Sequence, residues 1–67
     1  MSNMLDLSKK ILTKVSFDKS LFKKELIKAN KMLKFEDQLL LKVWCLATFG
    51  YLYRDIILEV FRNVTKS

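Results

Sequence analysis

The scarcity of turn-forming residues is the feature of this sequence that most restricts its fold. Proline is absent, and glycine occurs once in 67 residues, at Gly50. A sheet protein of this size needs several tight turns, which glycine and proline usually supply, whereas a helical protein needs few. Hydrophobic residues make up 51% of the chain, far more than a disordered segment contains. We therefore predict an all-α fold, in a single domain over residues 1–67.

The spacing of the apolar residues predicts a small bundle of four short helices. The four segments cover about residues 4–15, 19–34, 35–49 and 53–64. Asp18 has the position and chemistry of an N-cap for the second helix, and Phe17 and Phe22 have the spacing of a hydrophobic staple across its start. Gly50 lies where a left-handed residue would end the third helix. The apolar stripe of the first segment consists of Met4, Leu7, Ile11 and Val15.

The third segment differs from the others because it is apolar nearly all round. One side carries the stripe that we expect to face the core: Leu39, Leu40, Val43, Leu46 and Ala47. The other side, together with an aromatic residue after Gly50, provides the candidate interface: Leu41, Cys45, Phe49 and Tyr51. The remaining helices each bring one apolar stripe, so they cannot cover both sides in so short a chain. We therefore expect the candidate interface to contact a protein partner or a second copy of this chain, although Tyr51 could instead close the end of the bundle.

Lysine is concentrated in the first half of the chain. The net charge is +6, and residues 1–34 account for all of it with nine lysines against three acidic residues. The second helix carries a candidate basic face of five lysines: Lys23, Lys24, Lys28, Lys31 and Lys34. Such a face either remains solvated or binds an acidic partner or, nonspecifically, nucleic acid. The helix contains no arginine, so bidentate recognition of phosphate or guanine is excluded there.

Residues typical of catalysis are scarce. Histidine is absent and Cys45 is the only cysteine, so a Cys/His metal site is excluded. Cys45 has no base near it in sequence, and a buried or interfacial thiol is the expected role. The adjacent carboxylates Glu36 and Asp37 point in different directions from a helix and suit its positive end. We expect no enzymatic activity, no cofactor and no metal.

The distribution of apolar residues also bears on membranes and location. No apolar run approaches the roughly 20 residues that span a bilayer, and Asp6, Lys9 and Lys10 interrupt any signal-like start. A single cysteine is typical of a reducing compartment, so we expect a cytoplasmic protein without an integral membrane segment. The function expected from the sequence is protein–protein interaction by a small non-catalytic helical protein, with a homodimer as one form. The alternative is a nucleic-acid-associated accessory protein that uses the basic face.

Overall fold

The chain folds into three α-helices in the computed structural model, which describes residues 3–62. Helix α1 spans Asn3–Lys14, α2 spans Lys19–Met32 and α3 spans Phe35–Val60. Residues 3–62 contain no strand, so the all-α prediction is confirmed. The prediction of four helices is wrong, because the expected third and fourth helices form one helix of 26 residues. The last residues of the expected fourth helix lie outside the described part of the chain.

Gly50 lies inside α3 and does not end a helix. No residue from 3 to 62 has a left-handed backbone, and Gly50 is helical like its neighbours. A helical glycine costs about 0.5–1 kcal/mol relative to alanine, which is too little to break a helix that packs on both sides of it. The expected C-terminal cap is therefore absent at Gly50, and the chain continues as helix.

The departure from helical geometry comes three residues later, at Tyr53. Its backbone angles of φ −129° and ψ 29° interrupt the helix and kink α3 there. The Tyr53 hydroxyl donates a hydrogen bond of 2.6 Å to the backbone carbonyl of Ser16, in the turn between α1 and α2. The Tyr53 ring packs on that of Phe22 with a centroid distance of 4.6 Å. The Tyr53 side chain thus connects the kink in α3 to Phe22 of α2 and to Ser16 in the turn between α1 and α2.

The start of α2 follows the sequence prediction in one respect and departs from it in another. The Asp18 carboxylate accepts a hydrogen bond of 3.1 Å from the amide of Leu21, so the N-cap is confirmed. The hydrophobic staple is not formed, because Phe17 is 80% exposed while Phe22 is completely buried. Phe22 packs on the rings of Phe49 and Tyr53 in α3 instead.

The core lies where all three helices meet. It contains Leu5 and Leu12 from α1, Phe22 and Leu26 from α2, a set of α3 residues, and Phe61 beyond its end. The buried hydroxyl of Ser8 donates a hydrogen bond of 2.8 Å to the backbone carbonyl of Met4. This bond satisfies the one polar side chain that is buried within residues 4–14 of α1. Among the residues of α1 predicted to face the core, Leu7 is half exposed, so α1 is rotated relative to the expected stripe.

We predict that Tyr53→Phe lowers the free energy of unfolding by about 0.5–1.5 kcal/mol, the usual contribution of one hydrogen bond. The ring contact with Phe22 is kept in this variant, so the loss measures the bond to Ser16 alone. Denaturant unfolding gives the value. Tyr51→Phe is the matched control, because Tyr51 is 84% exposed and should tolerate the same change. Equal midpoints for both variants would contradict the anchoring role of the Tyr53 hydroxyl.

Candidate functional site: the outer face of α3

Helix α3 packs on α1 and α2 with the side that the sequence assigned to a partner. Leu41 and Cys45 are completely buried and Phe49 is only 7% exposed. The Phe49 ring meets that of Phe22 edge-on, at a centroid distance of 5.2 Å. These three residues of the candidate interface therefore lie in the core of a single chain. They cannot contact a partner in this fold, and the assignment of that side to an interface is corrected.

The physical reason lies in the continuity of the buried stripe. Leu41, Cys45 and Phe49 follow one another at intervals of four residues, and the stripe continues beyond the kink with the buried Ile56 and Ile57. One long apolar stripe can pack on two helices along the whole length of α3. The opposite stripe, which contains Val43 and Ala47, continues with Gly50 and Arg54. These two residues add little apolar side-chain surface, so this stripe gains less from burial. The apolar spacing predicted two helices that meet at Gly50, so this difference in length between the two stripes was not apparent.

Most of the side that the sequence assigned to the core is exposed, although Leu46 is half-buried and packs against the core. We call this side the outer face and define it by six apolar residues of α3: Phe35, Leu39, Leu40, Val43, Leu46 and Ala47. Leu40 is 56% exposed and Val43 is 66% exposed, and Phe35 is similar, whereas Leu39 and Leu46 are half-buried at the edges. Covering a Leu or Val side chain is worth about 1.5–3 kcal/mol, so this face gains from contact with another apolar surface.

Gly50 extends the outer face as an open region without a side chain. A Cβ atom placed on Gly50 would meet no atom within 4 Å, apart from its chain neighbours and the helix's own backbone. The surface there consists of helix backbone without a side chain, next to Ala47 one turn earlier. Small residues of this kind allow another helix to approach the backbone closely. The outer face is therefore bulky near Leu40 and shallow near Gly50.

Aromatic residues surround the end of this region. Of the four candidate interface residues, Tyr51 alone remains open to solvent. Trp44 is half-buried, packs edge-on against Phe49 at 5.5 Å, and has the Lys9 ammonium 5.8 Å from its ring centroid. Trp44 thus belongs to the edge of the core, and Tyr51 is available to a partner beside the kink.

Four of the five lysines of the candidate basic face are exposed, and the fifth is half-buried. Lys24, Lys28 and Lys31 are exposed on α2, and Lys34 is exposed just before α3. Lys23 is turned towards α3, where its ammonium lies 3.5 Å from a carboxylate oxygen of Glu59. An exposed ion pair of this kind contributes little to stability, but the carboxylate of Glu59 offsets the positive charge of Lys23. Four lysines therefore remain on the surface facing solvent.

A second apolar feature, an open groove between α1 and α2, was not predicted. It has a volume of about 210 Å³, and Met4, Leu7, Ile11 and Met32 form its apolar walls. Glu25 and Lys28 also line it. The sequence signal was the apolar stripe of α1, which was assigned wholly to the core. Because α1 is rotated, part of that stripe faces the groove instead.

Cys45 is unsuited to nucleophilic chemistry. Burial raises the pKa of its thiol to about 12, since the charged form loses its hydration. The thiolate is the reactive form of cysteine, and very little of it exists near neutral pH with such a pKa. Within residues 3–62 no group of three His, Cys, Asp or Glu side chains is placed to hold a metal ion.

None of the helices described is both long enough and apolar enough to cross a bilayer. Comparison with known proteins finds no matching family model, no similar curated protein and no similar solved structure. Function therefore has to be inferred from the surfaces of this chain, among which the outer face is the most unusual for a small helical protein.

We predict that Leu41→Ala and Val43→Ala differ sharply in their effect on stability. Leu41→Ala should lower the free energy of unfolding by about 2–5 kcal/mol, because it leaves a cavity in the core. Val43→Ala should change it by less than about 0.5 kcal/mol, because Val43 is exposed. Denaturant unfolding at low protein concentration measures both without a contribution from association. A larger loss for Val43→Ala than for Leu41→Ala would contradict this orientation of α3 and support the one expected from the sequence.

We also predict that Cys45 does not react with Ellman's reagent at mildly alkaline pH while the chain is folded. The thiol is buried and its pKa is raised, so both access and ionisation are suppressed. One thiol per chain should react after denaturation. Thr48→Cys is the control, because it adds an exposed thiol on the same helix that reacts at once. Rapid labelling of the folded native chain would show that the Cys45 side of α3 opens readily.

Proposed function

We propose that this chain is a small non-catalytic helical protein that acts by binding another protein, and that the outer face of α3 is its contact surface. The observation that carries the proposal is the exposure of Leu40 and Val43, large apolar residues in the middle of a long helix. A contiguous apolar surface of this kind commonly marks a site of protein association. Phe35, Leu40 and Val43 do not belong to the core, so their apolar character needs another explanation.

The pattern of the outer face suits an α-helical partner surface. Leu39, Val43 and Leu46 recur at spacings of three and four residues, as do anchors in helix-to-helix docking. Their side chains are spread over about two turns of α3, a length that a second helix can match. The gain on covering them is offset by the loss of translational and rotational freedom, so a moderate affinity is expected.

A photoreactive amino acid at position 43 tests this proposal in the source cell. The chain with p-benzoylphenylalanine in place of Val43 should give a cross-linked product of discrete mass on irradiation. The same probe in place of Thr48, which is exposed elsewhere on α3, should give none. Mass spectrometry identifies whether the product contains another protein or a second copy. Absence of any product from position 43, with the folded chain present, would contradict a contact through the outer face.

The basic face supports a second candidate function, nonspecific association with nucleic acid. Lys24, Lys28 and Lys31 are exposed together on α2, and a cluster of lysines attracts phosphates without reading sequence. Fluorescence anisotropy with a random-sequence DNA duplex measures this at two salt concentrations. The variant with Lys24→Glu and Lys28→Glu should bind more weakly and with a smaller salt dependence if this function operates. Absence of binding by the native chain at low salt excludes it.

A further inference from the structure

Six residues along α3, three of them in the outer face, are spaced as in a coiled-coil seam. We call them the seam: Glu36, Leu40, Val43, Ala47, Gly50 and Arg54. Their intervals alternate between four and three residues, which keeps them in line along a helix that packs on another helix. In an unbroken helix Arg54 would follow Glu36 by about five turns and so lie on the same side, and the kink at Tyr53 falls just before it. Glu36, Leu40, Val43, Ala47 and Arg54 are exposed, and Gly50 opens to empty space.

The apolar residues of the seam become smaller from Leu40 to Gly50. When a second copy runs in the opposite direction, its small residues therefore lie opposite the large residues of the first. If two copies of α3 pack antiparallel about a two-fold axis at the level of Cys45, Leu40 of one copy lies opposite Gly50 of the other. Val43 then lies opposite Ala47. Each layer combines a large residue with a small one, so the space between the helices is filled evenly. A parallel pair would place Leu40 on Leu40 and Gly50 on Gly50, which leaves a bulge at one end and a gap at the other.

The charges at the two ends of the seam follow the same symmetry. In the antiparallel arrangement Glu36 of each copy lies opposite Arg54 of the other, which gives two pairs of opposite charge. The parallel arrangement would bring like charges together at both ends. The kink at Tyr53 comes between Gly50 and Arg54, so the straight part of the seam ends there. The long, flexible side chain of Arg54 has to bridge only this last interval.

The overall charge distribution favours contact through α3. Residues 1–34 carry the whole excess of +6, while the four basic and four acidic residues of 35–67 cancel. Two copies that meet through α1 and α2 bring their excess positive charges together. Helix α3 has two basic and four acidic residues, a net charge of −2, so contact through α3 keeps those positive charges farther apart.

We propose that the outer face binds a second copy of this chain, antiparallel, in the register set by the seam. This inference rests on the proposed function and names its partner. A two-fold axis makes the interface self-complementary, so one surface serves both copies. The contact pairs are Glu36 with Arg54, Leu40 with Gly50, and Val43 with Ala47.

Sedimentation equilibrium of the purified chain across the micromolar range tests the proposal. The native chain should form a dimer. Glu36→Arg and Arg54→Glu should each weaken it by roughly tenfold, because each reversal creates two like-charge contacts. The double variant Glu36→Arg/Arg54→Glu should regain most of the native affinity, since its two charges are exchanged. Failure of the double variant to recover, when both single variants associate weakly, would overturn the register.

Two variants at the centre of the seam separate association from folding. Val43→Glu should abolish the dimer and leave the thermal unfolding of the monomer unchanged, because Val43 is exposed within the chain. Gly50→Leu should also weaken the dimer by filling the space given to Leu40 of the second copy, and a Cβ atom at this position meets nothing within 4 Å in the chain itself. Thr48→Glu is the matched control on an exposed position outside the seam and should associate like the native chain.

The possible results distinguish this inference from the proposed function. A native chain that is monomeric throughout the concentration range overturns the dimer. If the probe at position 43 nevertheless cross-links to a different protein, the outer face still binds a partner and only the inference fails. If the chain is monomeric and the probe gives no product, both fail. Dimers that Val43→Glu does not disrupt also overturn the inference, because association then uses another surface.

Discussion

The burial of one uninterrupted apolar stripe of α3 determines the rest of this structure. Leu41, Cys45 and Phe49 pack on α1 and α2, and the stripe continues past the kink to Ile56 and Ile57. Because the same stripe serves both halves of α3, the helix does not separate into two at Gly50. The aromatic contact between Phe49 and Phe22 and the bond from Tyr53 to Ser16 then fix where α3 bends. The orientation of the stripe also decides which residues remain on the surface.

A chain with three helices can cover only one side of its longest helix. A domain of this size buries about 60% of the surface that its unfolded chain exposes. Once α1 and α2 lie against the Leu41 side, no element of residues 3–62 is left to cover Val43 and Leu40. The outer face is therefore exposed because α3 has two apolar sides and α1 and α2 cover only one of them. Whether it binds a second copy or another protein, its accessibility follows from the core.

Local signals in the sequence were sufficient for parts of the fold where one interpretation dominates. The N-cap at Asp18 follows from its residue type and from its position just before the second helix. The same reasoning fails for α3, because Leu41 and Val43 lie on opposite sides of the helix and both sides are apolar. Periodicity gives the spacing of a stripe but not the side that the other helices cover. The existence of an uncovered apolar surface could be predicted, and its location could not.

Gly50 shows a second limit of local reasoning, since glycine near an aromatic cluster resembles a helix end. Its conformation is helical, and nothing in the chain occupies the space where its side chain would be. Alanine would fit the fold there and would increase helix stability, because it restricts the unfolded chain more than glycine does. The fold alone therefore gives no reason for glycine at this position. Natural sequences often keep a less stable residue where activity depends on it. By that criterion Gly50 is a site where selection for stability and selection for surface shape would favour different residues.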